Sequence, residues 1–329
     1  MNPKTLITEK ELLPILAEYE LGTYISHVPL TAGTVETNIR LTTTRGNYVF
    51  RLYENRTYES VLFEGAVIEH LTRHDYPCAG LYRSRDGEVA GILGGKPYAI
   101  FEFIEGEHLE HPNQAQQQQL VEHIAKLHLL TEGFQPPHME KRWNYNPKLL
   151  IRLAEQETRK IGDANAIRKL TWYKSEIAKL DLPEELPRGV VHGDFHFSNI
   201  LFQDGQFKAL IDFDDANYTA LLFDIIAVNE PFKAAFDHDT WSTFSMDAHG
   251  PEGDVFDFTE LRRILDIYTA IRPINELEKR HLYDVCKLMV FVDCIWFYAR
   301  GKADDFFERR KIHYLNQLGR EGFFQRMLG

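Results

Sequence analysis

An aspartate, an asparagine five residues on and a second aspartate thirteen residues beyond that stand out in this chain of 329 residues: Asp194, Asn199 and Asp212. They lie in two short stretches, His192-Gly193-Asp194-Phe195-His196-Phe197-Ser198-Asn199 and Ile211-Asp212-Phe213-Asp214. A carboxylate such as Asp194 can accept the proton of an attacking hydroxyl. An amide and a carboxylate oxygen are hard ligands suited to Mg²⁺, which bridges the phosphates of a nucleotide. A hydroxyl attacking a γ-phosphate needs orientation, proton removal and cations over the phosphate oxygens. The pattern fits that reaction, with Asp194 as general base, Asn199 and Asp212 as metal ligands, and His192 bracing the loop. The apolar flanks Val190-Val191, Ile200-Leu201-Phe202 and Leu210-Ile211 place these polar groups at strand ends rather than on a surface turn.

Other chemistries fit less well. His196 and Ser198 lie in the same loop, but no Gly-x-Ser-x-Gly elbow occurs anywhere in the chain. The histidines are scattered without metal-ligand spacing, which argues against a zinc site. Asp214 and Asp215 flank the metal aspartate; they would tune it, touch a substrate amine, or form a solvated turn. Asp224 opens an apolar segment and could serve simply as a helix cap.

The elements that must position these residues fall into two textures. Thr8-Glu9-Lys10-Glu11 reads as a capping box opening a short helix. Strand patterns follow at 24–28, 37–43 and 47–53, the last two joined by the turn Thr44-Arg45-Gly46-Asn47. Val61, Leu62, Ala66, Ile68 and Leu71 recur at helical spacing over 57–73, and further strands are expected near 80–83, 89–92 and 98–103. After Gly106 the patterns become helical, over 113–131, 147–160 and 164–180. Short strands near 200–202 and 207–211 interrupt that series. The glutamines 116–119 read as a solvated helix face. The expectation is an α+β chain with a small antiparallel-sheet N-lobe over 1–104 and a larger, mainly helical C-lobe over 105–329.

Composition narrows the partners. The formal net charge is −12, which argues against a nucleic-acid partner, because phosphate neutralisation needs a basic face. It is compatible with ATP, whose charge is met locally by metal and a few cations. Cys78, Cys286 and Cys294 are too few for a disulfide framework. The N-terminal stretch has no signal-peptide core, and the longest apolar run, 288–299, carries Asp293, so no membrane span is expected. These features suit a reduced, cytoplasmic protein, and nothing in them fixes an oligomeric state.

The chain resembles the aminoglycoside phosphotransferase/choline kinase superfamily, whose fold is protein-kinase-like and two-lobed. The motifs HGDxxxxNxL and IDFxxA of that superfamily read here as residues 192–201 and 211–216. Within it the chain is most similar to type II homoserine kinase-like proteins. That likeness is carried by Ile7-Thr8-Glu9, Leu52-Tyr53-Glu54, Asp86-Gly87-Glu88, Phe103-Ile104-Glu105-Gly106, Leu127-His128, Glu132-Gly133-Phe134 and Ile271-Arg272-Pro273. The resemblance implies ATP and Mg²⁺ as cofactors and a small hydroxyl-bearing acceptor, with an amine on it in several members. It implies that Gly33, Thr34 and Asn38 belong to the nucleotide loop. Arg51 stands where many kinases carry lysine, as in choline kinases, to hold phosphate oxygens and pair with Glu64. Glu102 and Ile104, at the junction expected between the lobes, would offer main-chain groups to adenine, and Asp224 would buttress the catalytic loop.

Homoserine is the leading acceptor on this reading, with choline or ethanolamine, an aminoglycoside and methylthioribose as alternatives. A protein Ser/Thr kinase fits less well, since eleven residues between Asp212 and Asp224 leave no room for an activation segment and no Ala-Pro-Glu follows. A non-catalytic, pseudokinase-like nucleotide-binding module is the alternative from another class, and the intact Asp194, Asn199 and Asp212 argue against it. Acceptor-pocket candidates are the acidic and aromatic residues of 236–258 and 293–298, among them Asp247, Asp254, Asp293, Trp296 and Tyr298.

Overall fold

A computed structural model describes residues 4–30, 35–227, 255–299 and 306–329. The chain forms two compact units, each built from separate segments. The first takes residues 1–116, 135–142 and 196–216; the second takes 117–134, 143–195 and 217–329.

The first unit is organised around a five-stranded antiparallel sheet in the order β1-β2-β3-β5-β4, made of β1 (Tyr24–Leu30), β2 (Thr37–Thr43), β3 (Gly46–Leu52), β4 (Gly91–Leu93) and β5 (Lys96–Glu102). Successive side chains of a strand alternate between faces. Ile39, Leu41, Tyr48, Phe50, Leu52, Tyr98 and Ile100 therefore gather in one cluster, capped by Leu12, Ile15 and Leu16 of α1 (Glu9–Ala17). The capping box at Thr8 is present, with its N–H donated to the Glu11 carboxylate at 2.9 Å. Arg51, between Phe50 and Leu52, points to the opposite face, the face of α2 (Tyr58–Arg73). The hydroxyl of Thr57 caps α2 by accepting the Ser60 N–H. The segment expected as a strand near 80–83 is shorter than that, an isolated bridge between Leu81 and Phe101.

The hairpin of β7 (Ile200–Gln203) and β8 (Gln206–Leu210) belongs to this same unit. It is tied there by reciprocal bonds between Glu107 and Phe202, each N–H to the other's carbonyl at 2.9 Å. The approach is close enough that a Cβ on Gly106 would sit 3.0 Å from the Phe202 carbonyl.

The second unit is mainly helical. Its elements are α3 (Gln114–Thr131), which begins three residues inside the first unit, then α4 (Pro147–Ile161), α5 (Ala164–Ile177), α6 (Phe223–Ala227), α7 (Phe258–Ile271), α8 (Glu276–Ala299) and α9 (Phe306–Leu328). Asn146 and Asp163 cap α4 and α5 through their side chains, and Gly162 ends α4 in a left-handed conformation. A two-stranded pair, β6 (Arg188–Val191) with β9 (Asn217–Ala220), runs antiparallel among the helices. The pairing of β6 with β9 was not read from the sequence. No helix among the described residues is long and apolar enough to cross a membrane.

Candidate active site

The interval of thirteen residues between Asn199 and Asp212 is explained by the β7–β8 hairpin. Ile200 pairs with Leu210 at its open end, and the next rung is the Ile211 N–H donated to the Asn199 carbonyl at 2.9 Å. The hairpin thus returns the chain so that two oxygen-bearing side chains flank one strand end. Asn199 is buried and Asp212 half-buried, the latter in a left-handed backbone conformation with φ 66°. A non-glycine residue held there costs on the order of 1–3 kcal/mol and needs surrounding contacts to fix it.

Those contacts begin with Arg51. Its Nη1 is 2.8 Å from Asp212 Oδ1 and 3.6 Å from Glu64 Oε1, and its Nε–H donates to Asn38 Oδ1 at 2.9 Å. Arg51 and Glu64 are both buried, so neither is the surface side chain that a bare strand or helix pattern would allow. Glu64 occupies the inward stripe of α2 between Val61 and Ile68, and Tyr53 donates its hydroxyl to Glu64 at 2.9 Å. Burial pushes the Glu64 carboxyl up to about 7, with Arg51 pulling the other way. One guanidinium therefore holds a loop amide, a helix carboxylate and the metal-binding carboxylate together. A lysine, with a single ammonium, could not reach all three in fixed geometry.

Further residues of this unit were not read as site residues. Arg56 grips Asp214 through two parallel bonds, Nε to Oδ1 at 2.8 Å and Nη2 to Oδ2 at 2.9 Å, and reaches Asp215 at 2.8 Å. Asp214 is therefore buried and held, not part of a solvated turn. Arg142 donates to the Ala216 carbonyl at 2.9 Å, to the Asp214 carbonyl and to Ser60 Oγ at 2.7 Å. Glu36 is 5% exposed, and its carboxylate accepts the Glu54 N–H. Burial, then the neighbouring Asp214, pushes the Glu36 carboxyl up to about 7.

Of the nucleotide-loop candidates, Asn38 is half-buried beside Arg51, whereas Gly33 and Thr34 lie outside the described residues. Glu102 ends β5 with its side chain exposed and its N–H donated to the Gly80 carbonyl at 2.8 Å. Ile104 follows in irregular structure, half-buried.

The loop carrying Asp194 belongs to the second unit, where Asp224 organises it. The fully buried Asp224 carboxylate accepts the N–H of His192 at 2.8 Å and that of Gly193 at 3.0 Å. The same carboxylate is 3.2 Å from Nε2 of His128, whose Nδ1 is 2.9 Å from the Tyr268 hydroxyl. Arg272 donates to that hydroxyl at 3.3 Å, to Glu278 at 2.8 Å and to Glu132 at 3.0 Å. With Arg272 as obligate donor, the directions follow: Tyr268 donates to Nδ1 of His128, and His128 donates from Nε2 to Asp224. His192 is buried, accepts the Asp194 N–H on Nδ1 at 3.3 Å and leaves the Asp194 side chain exposed. His192 sits as a brace beside Phe195, with ring centroids 5.0 Å apart.

The acceptor candidates separate clearly. Tyr298 is core: its hydroxyl is 2.6 Å from Thr158 Oγ1 and bonds the Ala166 carbonyl at 3.0 Å, and Lys169 lies over its ring at 4.4 Å. Its π-face is taken by a cation of the chain itself. Trp296 is 51% exposed and Asp293 half-buried. Asp247 and Asp254 lie outside the described residues.

Comparison with known proteins agrees with this geometry. The sequence profile of the phosphotransferase enzyme family matches residues 26–248. Homoserine kinase of Nitrobacter winogradskyi is 28% identical over 317 residues, covering 95% of this chain and 86% of that protein. Homoserine kinase of a Caulobacter species is 29% identical over 318 residues, covering 93% and 87%. Among solved structures, amicoumacin kinase in complex with AMP-PNP and Ca²⁺ superposes with a TM-score of 0.65 at 15% identity, covering 96% of this chain and 94% of the other. Spectinomycin phosphotransferase in complex with ADP and spectinomycin gives a TM-score of 0.58 at 12% identity, covering 98% and 94%. The fold is the protein-kinase-like fold of these enzymes.

Proposed function

The chain belongs to the phosphotransferase enzyme family, and we propose that it moves the γ-phosphate of ATP to the side-chain hydroxyl of homoserine. That it is a kinase acting on a hydroxyl of a small molecule follows from its family and its relatives. Homoserine rests on one observation, the likeness along nearly the whole chain to homoserine kinases.

In this reading Asp194 takes the proton of the acceptor hydroxyl as it attacks phosphorus. The exposed position of its carboxylate, on a loop fixed at the main chain by Asp224, suits a group that must meet a second molecule. Asn199 and Asp212 are hard oxygen donors at one end of a hairpin, a set that fits Mg²⁺. The ion, when bound, supplies positive charge over the phosphate oxygens. Asp212 already faces a cation, since Arg51 stands 2.8 Å from it. Arg51 then has two duties, holding the carboxylate and offering its remaining donors to phosphate oxygens. Asn38 steadies the guanidinium, and Glu64 fixes it from the helix side. Glu102 and Ile104 would contribute main-chain groups to the base of the nucleotide, and Gly33 and Thr34 would cover its phosphates.

The test is ATP consumption against a panel of homoserine, choline, ethanolamine, methylthioribose and an aminoglycoside. Homoserine is expected to give the highest kcat/KM. Turnover of choline with none of homoserine would replace the acceptor. ATP binding without turnover of any acceptor would favour a nucleotide-binding module.

A further inference from the structure

Asp212 is followed by a short 3-10 turn, Phe213–Asp215, that two arginines hold from different directions. Arg142 grips its main chain: it donates to the carbonyls of Asp214 and Ala216, and from its other side to the hydroxyl and carbonyl of Ser60 in the first turn of α2. Its guanidinium is buried and lies over the Phe63 ring at 5.0 Å. Arg56 grips the side chains, bidentate on Asp214 and with a third bond to Asp215. Both arginines reach the turn from the start of α2 or its neighbours, and α2 also carries Glu64, partner of Arg51, which in turn holds Asp212. The contacts form a closed circuit: Asp212, Arg51, Glu64, Ser60, Arg142 and back to Asp214. The position after Phe213 is an aspartate, so it lacks the backbone freedom of the glycine found there in the Asp-Phe-Gly of protein kinases.

We propose that Arg56 and Arg142 are positioning residues that clamp the turn after Asp212, keep Asp212 in its left-handed conformation and so aim its carboxylate at the metal. The inference rests on the reading of Asp212 as a metal ligand. Neither arginine needs to touch the nucleotide. Loss of groups that orient a metal ligand typically costs 10–100-fold in metal affinity.

The experiment is calorimetric titration of the full chain with ATP, with and without Mg²⁺, for the wild type, Arg56→Gln, Asp214→Asn, the double variant and Arg142→Lys. The Arg56 side chain is 20% exposed, so Arg56→Gln is expected to fold even where the buried Arg142→Lys does not. Expected are a wild type that binds ATP more tightly with Mg²⁺ than without, and an Arg56→Gln protein in which that gain falls about tenfold or more while Mg²⁺-free affinity holds. Asp214→Asn should show the same loss, and the double variant no more than either single change, since both break one contact. An unchanged gain in Arg56→Gln overturns the clamp. Equal losses with and without Mg²⁺ would make Arg56 a general cation for phosphates, and additive losses would separate it from Asp214; either result also overturns it. A wild type whose ATP affinity ignores Mg²⁺ would instead overturn the assignment of Asp212 itself.

Discussion

At the scale of single residues, the site divides into side chains that do chemistry and side chains that hold them. Asp194→Ala is expected to lower kcat by roughly 10²–10⁴-fold, about 3–5 kcal/mol of barrier, with ATP affinity retained, as steady-state kinetics and titration would report. Arg51→Lys keeps the charge but loses the fork that spans Asn38 and Asp212, so KM for ATP should rise by about an order of magnitude. Glu54 offers a pH-dependent test of a purely structural contact. It accepts the Thr5 N–H at 3.0 Å, the Thr37 hydroxyl at 2.6 Å and a bond from Lys96. Burial raises its pKa, but these bonds outweigh that and hold the carboxyl down at about 2, against an ordinary 4.5. Because the folded pKa is depressed, its stabilisation is present above pH 4.5 and is lost as pH falls toward 2. Glu54→Gln should therefore be less stable than the wild type at neutral pH in urea unfolding, and the gap should narrow near about pH 3. Asp194, Asn199, Asp212, Arg51 and Glu64 were readable because each sits in a short motif or on a periodic stripe. Arg56 and Arg142 were not, because their partners lie 158 and 74 residues away and no local pattern marks them.

Elements were legible where periodicity was strong. The pattern over 57–73 corresponds to α2, and 37–43 and 147–160 to β2 and α4, within a residue or two at each end. The β6–β9 pair was not, since four-residue strands whose partner lies beyond a hairpin carry no periodic signal of their own. That pair is crowded at Gly189, where a Cβ would fall 2.4 Å from the Thr131 carbonyl and 2.8 Å from Leu221. Gly189→Ala should destabilise the protein by about 1–3 kcal/mol, visible as a lower melting temperature, because the nearer obstacle is backbone and cannot rotate away. The donor chain from α7 through α3 to α6 has a similar vulnerability. Tyr268→Phe removes the hydroxyl that donates to His128 and accepts from Arg272, leaving buried groups short of a partner. It should cost about 1–3 kcal/mol. The stretches Leu127-His128, Glu132-Gly133-Phe134 and Ile271-Arg272-Pro273, which carry the family likeness, supply three members of this network, His128, Glu132 and Arg272. Sequence marked them as shared; only the structure gives the reason.

For the whole molecule, nucleotide binding should appear as stability. A ligand that binds only the folded chain adds about 2.7 kcal/mol at a hundred times its Kd. ATP with Mg²⁺ should therefore raise the melting temperature, and EDTA should remove most of the rise. The sequence suggested a change of texture after Gly106, yet the compact units are not single stretches of chain. The first needs residues 1–116, then 135–142, then 196–216, and the last of these brings Asn199 and Asp212. Translation delivers those pieces in order. At about 5–20 residues per second, the first 116 residues wait roughly 5–20 s on the ribosome for the hairpin that completes their unit. During that wait the pocket under Arg51 has no Asp212 and the Glu107 edge has no Phe202 to pair with. The newborn sheet is thus a client for chaperones until residue 216 has left the exit tunnel, and a message broken before that codon yields a nucleotide lobe without its metal ligands.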